Sequence, residues 1–309
     1  MKTILYLIIP LLSLIALCSC GQERGKVGIL IAGDSFQADC DEISSILKTN
    51  KIEVFTANAK LDVSQQIEQA KQLIKKEVDV MLIIAVNTNT SAAIVRDCKA
   101  SNIKTIAYER IISNCDLDYY IAFDNGYVGE LLAQNAIKLK PTGKYALFNG
   151  DKFDRNAQWV YQGFITTLEP HIKSGAIEII YNTFIEDWSQ ENARFEFDQF
   201  ITSTKQIPDV ILSAHNRLSN GIISSIEQHN INQYPVLTGQ AAETAEARAA
   251  WNEKQQIALF KSYKVESKAA AELALTILHN KHVKTDKHIN NGLKDVPAIV
   301  LREMTLETR

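Results

Sequence analysis

Enzyme signatures are missing from this 309-residue chain. No glycine-rich phosphate loop, no Gly-x-Gly-x-x-Gly after a strand, no His-Glu-x-x-His and no Gly-x-Ser-x-Gly occurs in it. The first strand–helix junction, Ala32-Gly33-Asp34-Ser35-Phe36-Gln37, carries one glycine and an acid, a poor cradle for phosphate. Basic surplus is missing too: 33 Lys and Arg against 36 Asp and Glu leave a net charge of −3, which gives no footprint for nucleic acid. Cysteine is sparse, with 5 in all and no Cys-x-x-Cys. The 6 histidines are scattered, His279, His282 and His288 lying nearest to a cluster, and no metal-ligand spacing emerges. Carboxylates for glycoside cleavage exist at Glu109, Asp124, Asp154 and Glu186, but sequence does not set their separation. No cofactor is implied, and the reading is of a binding protein rather than an enzyme.

What is present begins with a leader. Lys2 precedes an apolar run over 4–17 interrupted by Pro10, too short for a comfortable membrane span and suited to a signal peptide. Leu17-Cys18-Ser19-Cys20 resembles a bacterial lipobox with small Ser19 before the acylated residue; acylation at Cys18 would put bulky Leu17 there instead. The expectation is a leader over 1–20, a lipid on Cys20, a tether over 21–25, and a protein held to the periplasmic side of a bacterial membrane without spanning it. The alternative is an ordinary cleaved signal with incidental cysteines. Cys40, Cys98 and Cys115 remain; a pair could join in an oxidising compartment, but their odd number favours small buried hydrophobes.

From Lys26 onward short apolar runs alternate with helical periods. Strands are expected at 27–32, 52–56, 78–85, 104–108 and 119–123, then at 144–148, 177–181, 208–213, 235–238, 256–260 and 298–301. Helices are expected between most of them, including a long alanine-rich one over 265–280, while 290–297 reads as a loop. Strands nearly continuous in Val, Ile and Leu, each followed by a helix, mean parallel sheets covered on both faces. There are more of them than one doubly wound sheet holds comfortably. The fold class is therefore α/β, with two doubly wound lobes and a break near Asp124. No Gly/Ser/Pro linker marks the break, which suggests a hinge between intimate lobes.

In open α/β sheets ligands sit beyond the carboxyl ends of strands. Those ends here carry Glu109-Arg110, Asp154 and Asn156, His215-Asn216, Gly239-Gln240 and Lys261, with Trp188 just before a helix. Arginine offers a rigid fork of donors, carboxylates and amides accept, and a flat ring packs on C–H faces. That mixture suits something small, uncharged and rich in hydroxyls. Each group also has a plain reading: Trp188 as core, Asn216 as helix cap, Lys261 as surface.

These residues carry a resemblance. The runs Val78-Asp-Val-Met-Leu-Ile-Ile, Ile106-Ala-Tyr-Glu-Arg-Ile-Ile, Tyr120-Ile-Ala-Phe-Asp-Asn with Val128-Gly-Glu-Leu, and Asn290-Asn-Gly-Leu-Lys-Asp-Val-Pro resemble the type I periplasmic sugar-binding proteins, most of all the xylose-binding branch of ABC importers. The resemblance implies two Rossmann-like lobes joined by three crossovers, at 26–123 plus 263–288 and at 124–262 plus 289–309. It implies a monomer that closes by hinge rotation on a sugar and hands it to an ABC permease. A sensory role, with the closed form presented to a membrane sensor kinase, is the alternative. The sugar-responsive repressors of this fold begin with a DNA-binding helix-turn-helix, whereas this chain begins with a leader.

Carried over position by position, the resemblance implies ligand contacts at Phe36, Glu109, Arg110, Asp154, Asn156, Trp188, His215, Asn216, Gln240 and Lys261. The family's Asp-Arg is here Glu109-Arg110, its Asp-Asn-Asn is Asp154-Arg155-Asn156, and its Asp-Gly-Trp is Glu186-Asp187-Trp188. Its Ser-Asn-Asp falls on Ala214-His215-Asn216, and its Gly-Gln-Asp on Gly239-Gln240-Ala241. The first loop lacks the family's basic residue, Ser35 and Phe36 standing in the region where an arginine and a tryptophan are expected. The scaffold of a pentose site is retained while part of its wall has changed.

Overall fold

The structure is a computed structural model that describes residues 25–309; Cys20 and the rest of the leader lie outside the described residues. β1 (Lys26–Ile31), β2 (Glu53–Asn58), β3 (Val80–Ile83), β4 (Lys104–Tyr108) and β5 (Tyr119–Phe123) are parallel neighbours in one sheet, in the order β5-β4-β3-β1-β2. Helices α1 (Gln37–Thr49), α2 (Val63–Ile74) and α3 (Ala92–Ala100) make the crossovers. Alternate side chains face opposite ways. Leu30, Met81, Ile83 and Ala107 meet Ala70, Leu73, Ile94 and Val95 on one face. Ile29, Ile31, Leu82, Ile106 and Tyr108 meet Ile43, Leu47, Ala270 and Ala274 on the other. Burial on both faces is why these strands read as continuous apolar runs.

The chain crosses to a second lobe at Asp124. Its carboxylate accepts from the Tyr127 N–H at 3.3 Å and starts α4 (Asn125–Leu139). There follow β6 (Gly143–Asn149), α5 (Arg155–Lys173), β7 (Ile177–Phe184), α6 (Gln190–Thr204), β8 (Val210–Ser213), α7 (Asn216–Gln228) and β9 (Val236–Leu237). The parallel sheet runs β7-β6-β8-β9. A smaller sheet, β10-β11-β14, is formed by β10 (Gln240–Ala242), β11 (Ile257–Lys261) and β14 (Met304–Thr308), with a short helix α8 (Ala245–Ala249) between its first two strands. After β11 the chain returns through Ser262 to α9 (Tyr263–Leu278), whose Ala270, Ala271, Leu273 and Ala274 complete the first lobe's second core.

The tail departs from expectation. The resemblance implies that 289–309 belongs to the second lobe, and the sequence pattern predicts a loop over 290–297. Instead β12 (Lys287–Asn290) and β13 (Asp295–Leu301) form an antiparallel hairpin, and β13 adds in parallel to β5 at the edge of the first sheet, so the order there is β12-β13-β5. The cause is local. Asn291 is buried and donates through Nδ2 to the carbonyls of Ile112 at 3.0 Å and Cys115 at 2.9 Å. Gly292 turns at φ 99, a conformation glycine adopts without strain. Val296 and Ala298 enter the first core. The final crossing therefore falls at Arg302-Glu303, and only β14 joins the second lobe, antiparallel to β11. Cys40, Cys98 and Cys115 are free and buried, and burial pushes each thiol up, to about 11, 12 and 11 respectively.

Candidate functional site

Strand order locates the site. In the first sheet the order reverses between β1 and β3, and in the second between β6 and β8. The loops leaving those strands diverge at such switch points and open a crevice. From the first lobe, the loop after β1 contributes Phe36, that after β3 the Ala85 carbonyl, and that after β4 the pair Glu109-Arg110. Arg110 donates through Nη1 to the Ala85 oxygen at 3.2 Å, and its guanidinium lies 5.7 Å from the centroid of the Phe36 ring. Glu109 has φ 62, a left-handed conformation that turns its side chain out of the β4 line. Its backbone is held by an N–H bond to the Ile121 oxygen at 2.8 Å and by the Tyr120 hydroxyl on its own carbonyl at 3.1 Å.

From the second lobe, Asp154 caps α5, accepting from the Asn156 N–H at 2.8 Å, and takes the Trp188 Nε1–H at 3.2 Å on its other oxygen. Trp188 stands edge-on to His215, ring centroids 6.0 Å apart. The indole lies over Gly150, where a Cβ would come within 2.2 Å of the ring and would push it aside. His215 caps α7 by accepting the Arg217 N–H on Nδ1 at 3.1 Å, which leaves the ring proton on Nε2. The lobes meet at Glu109. Asn156 donates through Nδ2 to its carbonyl at 3.2 Å and to its carboxylate at 3.0 Å, and the Lys261 ammonium lies 3.6 Å from the other carboxylate oxygen.

Two amides complete the wall and are not fully engaged. Asn216 accepts from Gln255 Nε2 at 2.9 Å, while its own Nδ2 has no partner among the described residues. Gln240 donates to the Ala214 carbonyl at 3.2 Å, and its Oε1 is likewise unpartnered. A buried amide group without a partner forfeits roughly 1–3 kcal/mol. Ala241, in contrast, packs in a small apolar cluster with Trp251 and Phe260.

Burial decides protonation here. His215 is held down to about 3, chiefly by burial and then by the Lys261 and Arg217 cations, so it is a neutral donor at ordinary pH. Burial pushes the Asp154 carboxyl above its usual range, with Glu109 acting the same way and the Asn156 N–H, Arg110 and Trp188 opposing. Two further residues, Asp39 and Glu266, are not among those the sequence points to. Asp39 is pushed up to about 6 by burial, although the Tyr108 hydroxyl donating to it at 2.6 Å pulls it down. Glu266, 5% exposed and with one oxygen unpartnered, lies well above the carboxylate range through burial and the nearby Glu109. The signal for both was helical spacing: Asp39 shares a face with Ile43 and Leu47, and Glu266 with Ala270 and Leu273, all of them buried. Carboxylates are seldom fully buried unless paired.

Two α/β lobes, crossed three times by the chain and meeting over a cleft of donors, acceptors and an indole, define a hinged solute-binding protein. The comparisons agree. Residues 31–282 match the family described as periplasmic binding protein domain, and the chain belongs to that family, in its type I sugar-binding form. The chain is 30% identical over 287 residues to the D-xylose-binding periplasmic protein of Haemophilus influenzae, covering 92% of this chain and 86% of that one. Among solved structures, a solute-binding protein of an ABC transporter from Clostridium phytofermentans with bound β-D-glucose superposes with a TM-score of 0.80 at 22% identity, covering 92% and 94% of the two chains. A fructose-binding periplasmic domain of a hybrid two-component system has a TM-score of 0.75 at 19% identity, covering 93% and 91%. A periplasmic location comes with the family, and its members bind solutes rather than transform them.

Proposed function

We propose that this protein binds a monosaccharide, a xylose-like pentose or a related sugar, in the interlobe cleft and delivers it to an ABC permease. In this reading Arg110, Lys261, Asn156 and the His215 Nε2–H donate to hydroxyls, Glu109 and Asp154 accept from them, and the Trp188 and Phe36 rings cover apolar sugar faces. The observation that carries it is the chain of contacts from Lys261 through Glu109, Asn156, Asp154 and Trp188 to His215. This set bridges the lobes while Asn216 and Gln240 keep unpaired amide atoms beside it. The binding lobes are 26–123 with 263–301, and 124–262 with 304–309. A lipid on Cys20 tethers them to the membrane.

A thermal-shift screen against mono- and disaccharides tests the ligand class. A sugar at a hundred times its dissociation constant adds about 2.7 kcal/mol of stability. No response to any sugar, with a clear response to another metabolite, ends the carbohydrate reading. Mass spectrometry of the protein extracted from membranes tests the anchor, a Cys20→Ser chain being expected to lack the acyl mass.

A second reading, presentation of the sugar-bound form to a membrane sensor kinase, is favoured by the likeness to the periplasmic domain of a two-component system. Labelled-sugar uptake separates the two. Delivery requires that uptake fall when the chain is deleted; sensing requires only that sugar-induced transcription fall.

A further inference from the structure

A second cavity lies away from the cleft, at the hinge, where the chain first crosses between lobes. It has a volume of about 370 Å³, with Tyr120, Phe123, Lys287 and His288 on its first-lobe side and Asn125 and Trp159 on its second-lobe side. None of the ten cleft residues lines it. Its apolar surface is made by the Tyr120, Phe123 and Trp159 rings with Ile289 and Val300, and its polar side chains include Asn125, Lys287, His288 and Asn290. Asn125 is 3% exposed, and its Nδ2 finds no partner among the described residues. The only carboxylate on the wall, Asp124, is already occupied, by Arg302 Nη2 at 2.8 Å and Nε at 3.0 Å and by the Lys287 ammonium at 3.7 Å. A third cation, Arg155, stacks 5.2 Å from the Trp159 ring while donating to the Asn290 carbonyl at 2.7 Å across the lobes. Lys287 lines the cavity, Arg302 and Arg155 lie beside it, and the buried Asn125 donor awaits an acceptor.

We propose that this hinge cavity is a second ligand site, for a small hydroxy-carboxylate whose anionic end meets Asn125 Nδ2 and Lys287 and whose carbon chain lies on the Trp159 and Phe123 rings. Because both lobes supply walls, the cavity exists only at certain hinge angles. A molecule held there favours the lobe arrangement that forms it, and so couples to any ligand of the cleft with equal effect in both directions. The site does not depend on the cleft being a sugar site.

Titration calorimetry with D-gluconate tests this, with the neutral polyol D-glucitol as the matched control. Gluconate is expected to bind and glucitol not to. Lys287→Ala, at an exposed position that folding tolerates, is expected to weaken gluconate at least tenfold, and Asn125→Asp to abolish its binding by placing a carboxylate against it. Arg110→Ala, in the cleft, is expected to leave gluconate affinity as it was. The proposal is overturned by an absence of gluconate binding, by equal binding of glucitol, by gluconate affinity indifferent to Lys287→Ala, or by its loss in Arg110→Ala, which would move the site to the cleft. Failure of the sugar reading is separate: it is read from the sugar screen, whatever gluconate does.

Discussion

Trp188 is the residue on which the cleft's second-lobe wall turns. Asp154 holds its indole by one hydrogen bond, and Gly150 leaves room beneath it. Trp188→Ala is expected to weaken sugar binding at least tenfold, about 1.4 kcal/mol, with the unliganded melting temperature little changed; unaltered affinity by calorimetry would remove the ring from the site. Asp39 gives a pH signature. Its folded value near 6 lies above the ordinary 3.8, so the folded state binds the extra proton. The stability this contributes is whole below about pH 3.8 and is lost as pH rises through 6. Urea unfolding of the parent chain against Asp39→Asn, from pH 4 to 8, is expected to show the parent losing up to about 3 kcal/mol relative to the variant. A flat difference would refute the shift. His215 runs the other way: its folded value is depressed, so its contribution is present above about 6.5 and is lost as pH falls toward 3.

At the scale of elements, two helix pairs of the second lobe pack through glycines. A Cβ on Gly163 of α5 would lie 2.2 Å from the Gly126 oxygen of α4, and one on Gly221 of α7 would lie 2.2 Å from the Gln190 oxygen of α6. Both contacts are with backbone, which cannot swing aside as a side chain can. Gly163→Ala is expected to push α4 from α5 and cost about 1–3 kcal/mol in chemical denaturation. A loss below half a kcal/mol would show that the helices slide freely. Nothing in the sequence flagged these glycines, because each lies in an ordinary helical period and the partner carbonyl belongs to another helix. The strands of both lobes were legible, since burial on two faces writes itself as unbroken Val, Ile and Leu. β12 and β14 were not: Lys287–Asn290 and Met304–Thr308 are edge strands whose polar, half-exposed residues resemble loop.

Across the whole molecule, three crossings join the lobes among the described residues, and two of them are tied together. Asp124 leaves β5 and Arg302 leaves β13, and their ion pair joins the ends. Burial works to raise the Asp124 carboxyl, but Arg302, the Tyr127 N–H and Lys287 outweigh it and hold it below its ordinary value. This stability is present above about 3.8 and is lost as pH falls below it. Arg302 is largely exposed, so Arg302→Ala is expected to cost under about 1 kcal/mol of stability. Its larger effect falls on hinge geometry: small-angle scattering without sugar is expected to report a wider spread of interlobe distances. An unchanged scattering profile would show that the pair does not restrain the hinge.

The α/β class, the two lobes and the strand ends at which chemistry gathers were legible in the amino-acid order. Each of these follows from the period of apolar residues along a single element. That order also carried the resemblance that points to a periplasmic sugar-binding protein, with Glu109, Arg110, Asp154, Asn156, Trp188 and Lys261 already in view. Which lobe owns the tail came from the fold, because β13's place depends on Asn291 reaching carbonyls more than a hundred residues earlier in the chain. The fold alone showed that Asp39 and Glu266 are buried carboxylates near Glu109, and that a second cavity opens at the hinge. Protonation, close packing and cavity shape are properties of groups brought together from distant positions. No local pattern records them.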